Sequence, residues 1–407
     1  MKTRLFKLAL ISLLSSGLAP QGNYVSAQEW EVMTPMPTPR TGLMAAAWNK
    51  NIYVFGGATG PNASDTVEAY NTQGDSWKVC ASMPTPRVAG AAETVGDKIY
   101  VIGGFNEVDG KVNVVEIYDP ATNSWSTGSP MPTSRSEILS GVIGNKIYVT
   151  GGWPSEYNQL EIYDPETDTW TSGTSCPSGI IQHNSGVGYN GKFYVLGGKN
   201  YYGSEYYNSN YAYNPAGDSW STRSEMPEEL FAGDADVLND KIHYFGGSRT
   251  NVPVINFDCH YIYDPVLDEW STGITLLEER ADHVAVTVGN SIYVIGGRLN
   301  CDTCDHITNL NERYTEPPVL GLKDHKKEVS LNIYPIPARD YIFTEVQNTD
   351  SEIKSLRITD ISGRDMLQES FKEERRRINV SGYPAGIYTI MVTTAKGTAS
   401  QNIILGK

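Results

Sequence analysis

Four arginines stand at matching places in the chain. Arg40, Arg87, Arg135 and Arg280 each come three residues after a Met-Pro step or its equivalent, and Ile180 and Leu230 hold that place in two further copies. A guanidinium fork grips a carboxylate or sulfate through two parallel hydrogen bonds, so four forks at one entrance would make an anion clamp. The same recurrence fits arginines that tie one unit to the next, and this is the commoner outcome, since ion-pair networks are often structural. Just beyond these positions lie Glu137, Gln182, His183, Asp234, Asp236, Asp282 and His283. They are expected to line a channel, with Glu137 and Asp282 as candidates for acid/base work. A polar, water-filled channel is the plainer reading. Phe105, Trp153, Tyr201 and Tyr202 lie in the segments that vary most between copies. Exposed aromatic rings there would contact sugars or peptides, or else pack a long loop over a rim.

The five cysteines are Cys80, Cys176, Cys259, Cys301 and Cys304. Cys301-Asp-Thr-Cys304, followed by Asp305 and His306, has half of a metal-site spacing but no second pair. A local Cys301–Cys304 disulfide is the better expectation for an exported chain. No metal and no cofactor are called for.

The elements that must position these groups repeat. Gly-Gly pairs occur at Gly56, Gly103, Gly151, Gly197, Gly246 and Gly296, about every 48 residues. Each follows a short apolar strand such as Ile52-Tyr53-Val54-Phe55, which lacks the alternation of a half-exposed strand and so is expected to be buried on both faces. A variable loop follows. A further strand then ends in Tyr-Asp-Pro or a relative, as at Tyr118-Asp119-Pro120, and a Trp comes after a tight turn: Trp77, Trp125, Trp170, Trp220 and Trp270. Four short strands per period make one small sheet that cannot bury its faces alone. Radial packing of such sheets solves the problem.

As a set, these offsets resemble six copies of the kelch motif over residues 28–316. The resemblance implies an all-β, six-bladed propeller. Six Gly pairs are followed by only five Trp, while Trp30 stands alone near the start, before Met36-Pro37. The segment around Trp30 is therefore expected to close the sixth blade and remove the open edges of the ring. In kelch propellers the arginine-bearing turns share a face with the loops after Gly-Gly, which makes that face the expected site for a protein, peptide or glycan. Two kelch enzyme classes are also similar in blade type. Galactose-oxidase-like copper enzymes have a Cys–Tyr copper centre that finds no counterpart here. Sialic-acid mutarotases use acidic and Arg groups on a sugar carboxylate, which the Arg set with Glu137 or Asp282 would serve. A passive surface or matrix role is the remaining alternative.

Across its 407 residues the chain is 40% hydrophobic and 19% charged, a composition that folds. Its net charge of −15 argues against a nucleic-acid surface. Lys2, Arg4 and Lys7 precede the apolar run Leu8–Leu18 and the small residues Val25-Ser26-Ala27, so residues 1–27 read as a secretory leader. No later apolar run approaches the ~20 residues of a spanning helix. Residues 28–316 carry a net −20 and residues 331–407 a net +1, separated by the Pro- and Lys-containing linker 317–330. The tail holds six short β-rich runs expected to form a small Ig-like sandwich. It resembles the C-terminal sorting domain of type IX secretion substrates through Pro335 and Pro337 in Tyr-Pro-Ile-Pro, Gly363 in Asp-Ile-Ser-Gly-Arg, and Gly386 and Tyr388 in Gly-Ile-Tyr. Ile336 stands where the family usually has Asn. The resemblance implies passage through the periplasm, recognition by the type IX machinery, and a secreted or outer-membrane surface location.

Overall fold

The computed structural model describes residues 29–316 and 330–405, apart from 154–157, 178–184, 201–204, 252–253, 301–305, 335–337, 339, 348–352, 361–363, 370–374 and 395–397. The leader expected at 1–27 and the linker 317–330, save Ser330 at its end, lie outside the described residues. By contacts the chain divides into two units, Met1–Pro317 and Pro318–Lys407.

In the first unit, six four-stranded antiparallel sheets form the blades. Their inner strands are Met44–Trp48, Ala91–Val95, Leu139–Ile143, Ser185–Tyr189, Asp234–Leu238 and Val284–Val288, and each neighbours the next around a closed ring. The second strand of each blade is the expected apolar run. Ile52, Tyr53, Val54 and Phe55 are all buried, as are Ile99 to Ile102 and Ile292 to Ile295. Inner strands alternate between the two neighbouring blades: Met44 and Ala46 pack with Ile99 and Val101, Ala45 and Ala47 with Val284 and Val286, and all four border the central channel. Small residues are needed where six strands converge. A Cβ on Gly188 would come within 2.0 Å of the Val142 carbonyl oxygen.

Each Gly pair is where one blade meets the next. Gly56 and Gly57 have φ of 55° and 85°, a region open mainly to glycine. A Cβ on Gly56 would meet the Arg87 carbonyl oxygen at 2.3 Å. That same carbonyl accepts the Gly57 N–H at 3.0 Å, and the Arg135, Arg280 and Arg40 carbonyls accept from Gly104, Gly247 and Gly297.

The tryptophans fasten the outer edge. Trp77 Nε1 donates to the Thr34 carbonyl at 2.8 Å, and the Thr34 N–H donates to Asp75 Oδ1 at 2.8 Å. Asp75 also accepts from Tyr70. The same two-point clamp recurs with Trp125 and Asn123 on Ala81, Trp170 and Asp168 on Ser129, Trp220 and Asp218 on Thr174, and Trp270 and Asp268 on Ser224. These Asp and Asn residues all sit at positive φ, which short polar side chains tolerate better than most.

Ring closure follows the expectation from Trp30. The strand Glu29–Val32 pairs with Asn311–Thr315 in the register Trp30↔Tyr314, completing the sixth blade. Trp30 Nε1 reaches the Ile274 carbonyl at 2.8 Å, and Arg313 pairs with Glu31.

Among the described residues, the second unit is a two-sheet sandwich of seven strands, one sheet of three and one of four. Ile333, Ile342 and Ile378 from the first sheet meet Leu356, Ile358, Ile390, Val392, Ile403 and Leu405 from the second in one core. The strand beyond the six expected runs is Asp365–Glu369 (DMLQE) at the edge of the four-stranded sheet. Its ends are charged, as suits an edge, and its composition gives little β signal.

Candidate functional site

The four arginines are not at an entrance. Arg40, Arg87, Arg135 and Arg280 are each 0% exposed. Arg40 pairs with Glu68 at 2.7 Å and Arg87 with Glu116 at 2.8 Å, while Arg135 pairs with Glu161 and Arg280 with Glu312. Further donors go to backbone: Arg40 Nη1 to the Gly56 carbonyl at 2.6 Å, Arg135 Nη1 to the Gly151 carbonyl at 3.0 Å. Thr38, Thr85 and Thr133 hydroxyls donate to the partner glutamates. The anion-clamp expectation therefore gives way to a structural one. Each guanidinium is committed inside its blade, with its charge matched and its reach to solvent closed.

The glutamates are the residues that sequence reasoning missed, and the signal was present. Where the arginine occurs, the third strand reads Glu-x-Tyr: Glu68, Glu116, Glu161 and Glu312. In blades four and five, where Ile180 and Leu230 replace it, the glutamate is replaced by Tyr211 and Tyr261. Arginine and glutamate come and go as a unit. In blade five the orphaned Gly246 carbonyl is met instead by Cys259 Sγ at 3.2 Å.

The central channel is a cavity of about 360 Å³. Five carboxylates line it: Glu93, Asp234 and Asp236 along the inner strands, with Glu137 and Asp282 on the turns that lead into them. Glu93 accepts from Ser140 Oγ of the next blade at 2.6 Å. Asp234 accepts from Ser185 Oγ at 3.0 Å and from the Ala285 N–H at 2.8 Å, and Asp236 from the Thr287 N–H at 2.7 Å. The two aspartates thus satisfy unpaired edge amides of blade six. Burial pushes Glu93 up to about 7, against the Ser140 hydrogen bond and with help from Asp236 and Asp234. Burial likewise raises Asp234 to about 7, and it raises Asp236. Glu93 was not anticipated from sequence; it stands in an Ala-Ala-Glu-Thr run without a repeat signature. His283 is among the residues that line the channel, as expected, and its side chain packs against two glycines. A Cβ on Gly246 would meet its Cε1 at 2.8 Å and one on Gly297 its Cβ at 2.9 Å, and burial lowers its pKa to about 3. Gln182 and His183 lie outside the described residues.

At the loop-side mouth, a backbone ring links the blades. Gly42, Ala89, Glu137, Ala232 and Asp282 occupy equivalent positions, all with φ between 52° and 60°. The Asp282 carbonyl accepts from Gly42 N–H, Gly42 from Ala89, Ala89 from Glu137, and Ala232 from Asp282. Glu137 and Asp282 belong to blades three and six, on opposite sides of a six-membered ring. Asp282 pairs with Arg298. The Lys199 ammonium lies 4.5 Å from the centre of the Phe231 ring. Burial lowers its pKa, Glu137 and Asp282 act the other way, and Arg298 adds to the lowering.

On the rim, Phe105 and Trp153 are brought together at 6.5 Å, edge to face, and the Lys111 ammonium sits 3.6 Å over the Trp153 ring. All three are half-buried. Short backbone bridges, Val88↔Phe105 and Ser136↔Trp153, hold the two rings at neighbouring blade starts. Tyr201, Tyr202, Cys301 and Cys304 lie outside the described residues. Cys80, Cys176 and Cys259 are buried. In the tail, Tyr388 is buried with its hydroxyl on the Pro384 carbonyl at 2.8 Å, while Gly386 opens its strand and is exposed. Pro335, Pro337 and Gly363 lie outside the described residues.

Comparison with known proteins agrees with this architecture. The Attractin/LZTR1 beta-propeller family matches residues 23–251, the Kelch motif matches 279–312, and the secretion system C-terminal sorting domain matches 332–406. No curated protein matches the chain. Among solved structures, that of YjhT superposes with a TM-score of 0.60 at 19% identity, covering 68% of this chain and 95% of that one, and so shares the fold. The sorting domain marks the protein for export by type IX secretion to the cell surface or beyond. Among the described residues no helix is long and apolar enough to cross a membrane. The chain belongs to the Attractin/LZTR1 beta-propeller family and carries a Por-type secretion sorting domain behind its kelch blades.

Proposed function

We propose that the loop-side mouth of this exported propeller is a binding face for a glycan or peptide. The observation that carries the reading is the departure from the repeat at the ring of positive φ. Three equivalent positions hold Gly42, Ala89 and Ala232, whereas Glu137 and Asp282 place carboxylates there. A glutamate in that backbone region costs on the order of 1 kcal/mol, and such costs cluster where a side chain has a job. The half-buried Phe105–Trp153–Lys111 group adds an aromatic platform with a cation beside it. Such a platform suits sugar rings and peptide side chains. The four buried arginines have no part in this face.

The test is a glycan and peptide array probed with the full chain, then with Trp153→Ala and Glu137→Ala. A true ligand of this face loses at least about tenfold in affinity in one or both variants. Retention of every detected ligand by both would remove the reading.

A second reading rests on Glu137 and Asp282 facing each other across the mouth, with Arg298 beside Asp282. Two carboxylates in different surroundings can serve as acid and base on a sugar, as in the mutarotases that the repeat resembles. NMR of anomer exchange on sialic acid, with and without protein, decides it: an unchanged rate eliminates this chemistry.

A further inference from the structure

The seam between blades five and six is built unlike the other five. Elsewhere an Asp or Asn two residues before the Trp supplies the second point of the clamp; before Trp30 the corresponding residue, 28, lies outside the described residues. Here the Ile274 carbonyl that accepts from Trp30 also receives His260 Nδ1 at 3.1 Å. His260 Nε2 in turn lies 2.9 Å from His243 Nδ1. Both rings are buried, at 1% and 0% exposure. Neither residue follows the repeat. The other blades have Tyr53, Tyr100, Tyr148, Tyr194 and Tyr293 in place of His243, and Val67, Val115 and Leu160 among the counterparts of His260.

The contacts fix the tautomers. A carbonyl can only accept, so His260 carries its proton on Nδ1 and offers a lone pair at Nε2. His243 Nδ1–H donates to that lone pair, which leaves His243 Nε2 bare. That atom makes no hydrogen bond and lies 3.7 Å from Glu316 Oε1. A first proton taken up at His243 Nε2 faces Glu316 and leaves the chain of bonds intact. A second must go to His260 Nε2, which then cannot accept, and two N–H groups oppose each other at the same short distance. His260 has no room to turn. Its ring centre is 4.4 Å from Phe245, 4.7 Å from Tyr314 and 6.4 Å from Trp30, and a Cβ on Gly273 would touch its Nδ1 at 2.1 Å.

The charged and titratable groups around the pair are few. Lys241 on the strand of His243 opposes protonation, and it is bound to Asp264 at 3.1 Å. Glu316, just past the Asn311–Thr315 strand, favours it; the Glu316 carboxylate also accepts from Asn239 at 2.6 Å. Tyr314 presents its ring and a hydroxyl that burial raises further above its ordinary range. The Leu238 backbone favours charged His243.

We propose that the closing seam is a proton-operated latch: protonation of the His243–His260 relay releases Trp30, and with it the strand Glu29–Val32, before the blades themselves unfold. The chemistry is uptake of two protons from water, with no other bond made or broken. Burial lowers His243 to about 4 and His260 to about 3. Both fall below the unfolded value of about 6.5. The open state therefore binds more protons, and closure weakens as pH falls from about 6.5 towards those folded values.

The experiment is hydrogen exchange of the full chain between pH 7 and pH 5, corrected for the intrinsic exchange rate. Peptides covering Glu29–Val32 and Asn311–Thr315 should lose protection by about tenfold or more, while those around Ala81 and Trp125 at the seam of blades one and two change far less. The variant His243→Tyr with His260→Val, built from residues that other blades use, should lose the difference between the seams. Equal loss of protection at both seams in the wild-type chain overturns the latch, whether or not the variant folds. Persistence of the difference in a folded variant overturns it as well.

Discussion

Charged residues occur in two settings in this propeller. Inside the blades, Arg40, Arg87, Arg135 and Arg280 follow the repeat, and each meets a glutamate in full burial. At the mouth, Glu137, Asp282, Lys199 and Arg298 break the repeat and border the opening of the channel. The contrast teaches that recurrence marks construction and departure marks use. A charge that recurs at the same offset in four blades answers a need every blade shares. A carboxylate that stands where other blades have Gly or Ala answers something outside the repeat.

Arg87→Leu strikes that contrast hardest. It strands Glu116 in the blade, which costs about 3–5 kcal/mol in urea unfolding. Arg87→Leu with Glu116→Tyr installs the pair that blade five uses, Leu230 and Tyr261, and should recover most of that loss while leaving any ligand affinity unchanged. If the double variant is as unstable as the single, the pair is not an exchangeable unit.

A smaller effect is expected at the rim clamp. Trp77→Phe keeps an aromatic ring but removes the exposed donor to Thr34, at a cost of about 0.5–1.5 kcal/mol. No change on urea unfolding would show that the ring alone holds the seam.

Glu93→Gln tests the channel wall. Its folded pKa of about 7 lies above its unfolded value, so the carboxyl contributes stability at acid pH that is lost as pH rises through 7. The amide removes that dependence. The variant should gain about 1–2 kcal/mol on the wild type at pH 8 and nothing below about pH 4. A gain that does not vary with pH would mean that Glu93 is well solvated.

The blades and their closure were legible because they rest on local rules. Paired glycines, apolar four-residue strands and a lone Trp30 each have one economical placement. The Arg–Glu pairing was harder to read because its members lie about 30 residues apart, on an entry turn and a third strand. The mouth ring was hidden for another reason: Ala89 and Glu137 are not residues that announce a left-handed backbone, and only the inter-blade hydrogen bonds hold them there. The tail strand Asp365–Glu369 escaped because an edge strand with charged ends lacks the hydrophobic pattern that marks the other six.

Glu137→Gly tests the central claim most directly, with stability and binding measured on the same preparation. Glycine is the residue that blade one uses at this position. The account predicts a protein more stable by about 0.5–1 kcal/mol, since the backbone strain is gone, together with weaker binding of the array ligand. A variant that is less stable and binds as before would contradict it, because Glu137 would then serve the fold rather than the mouth.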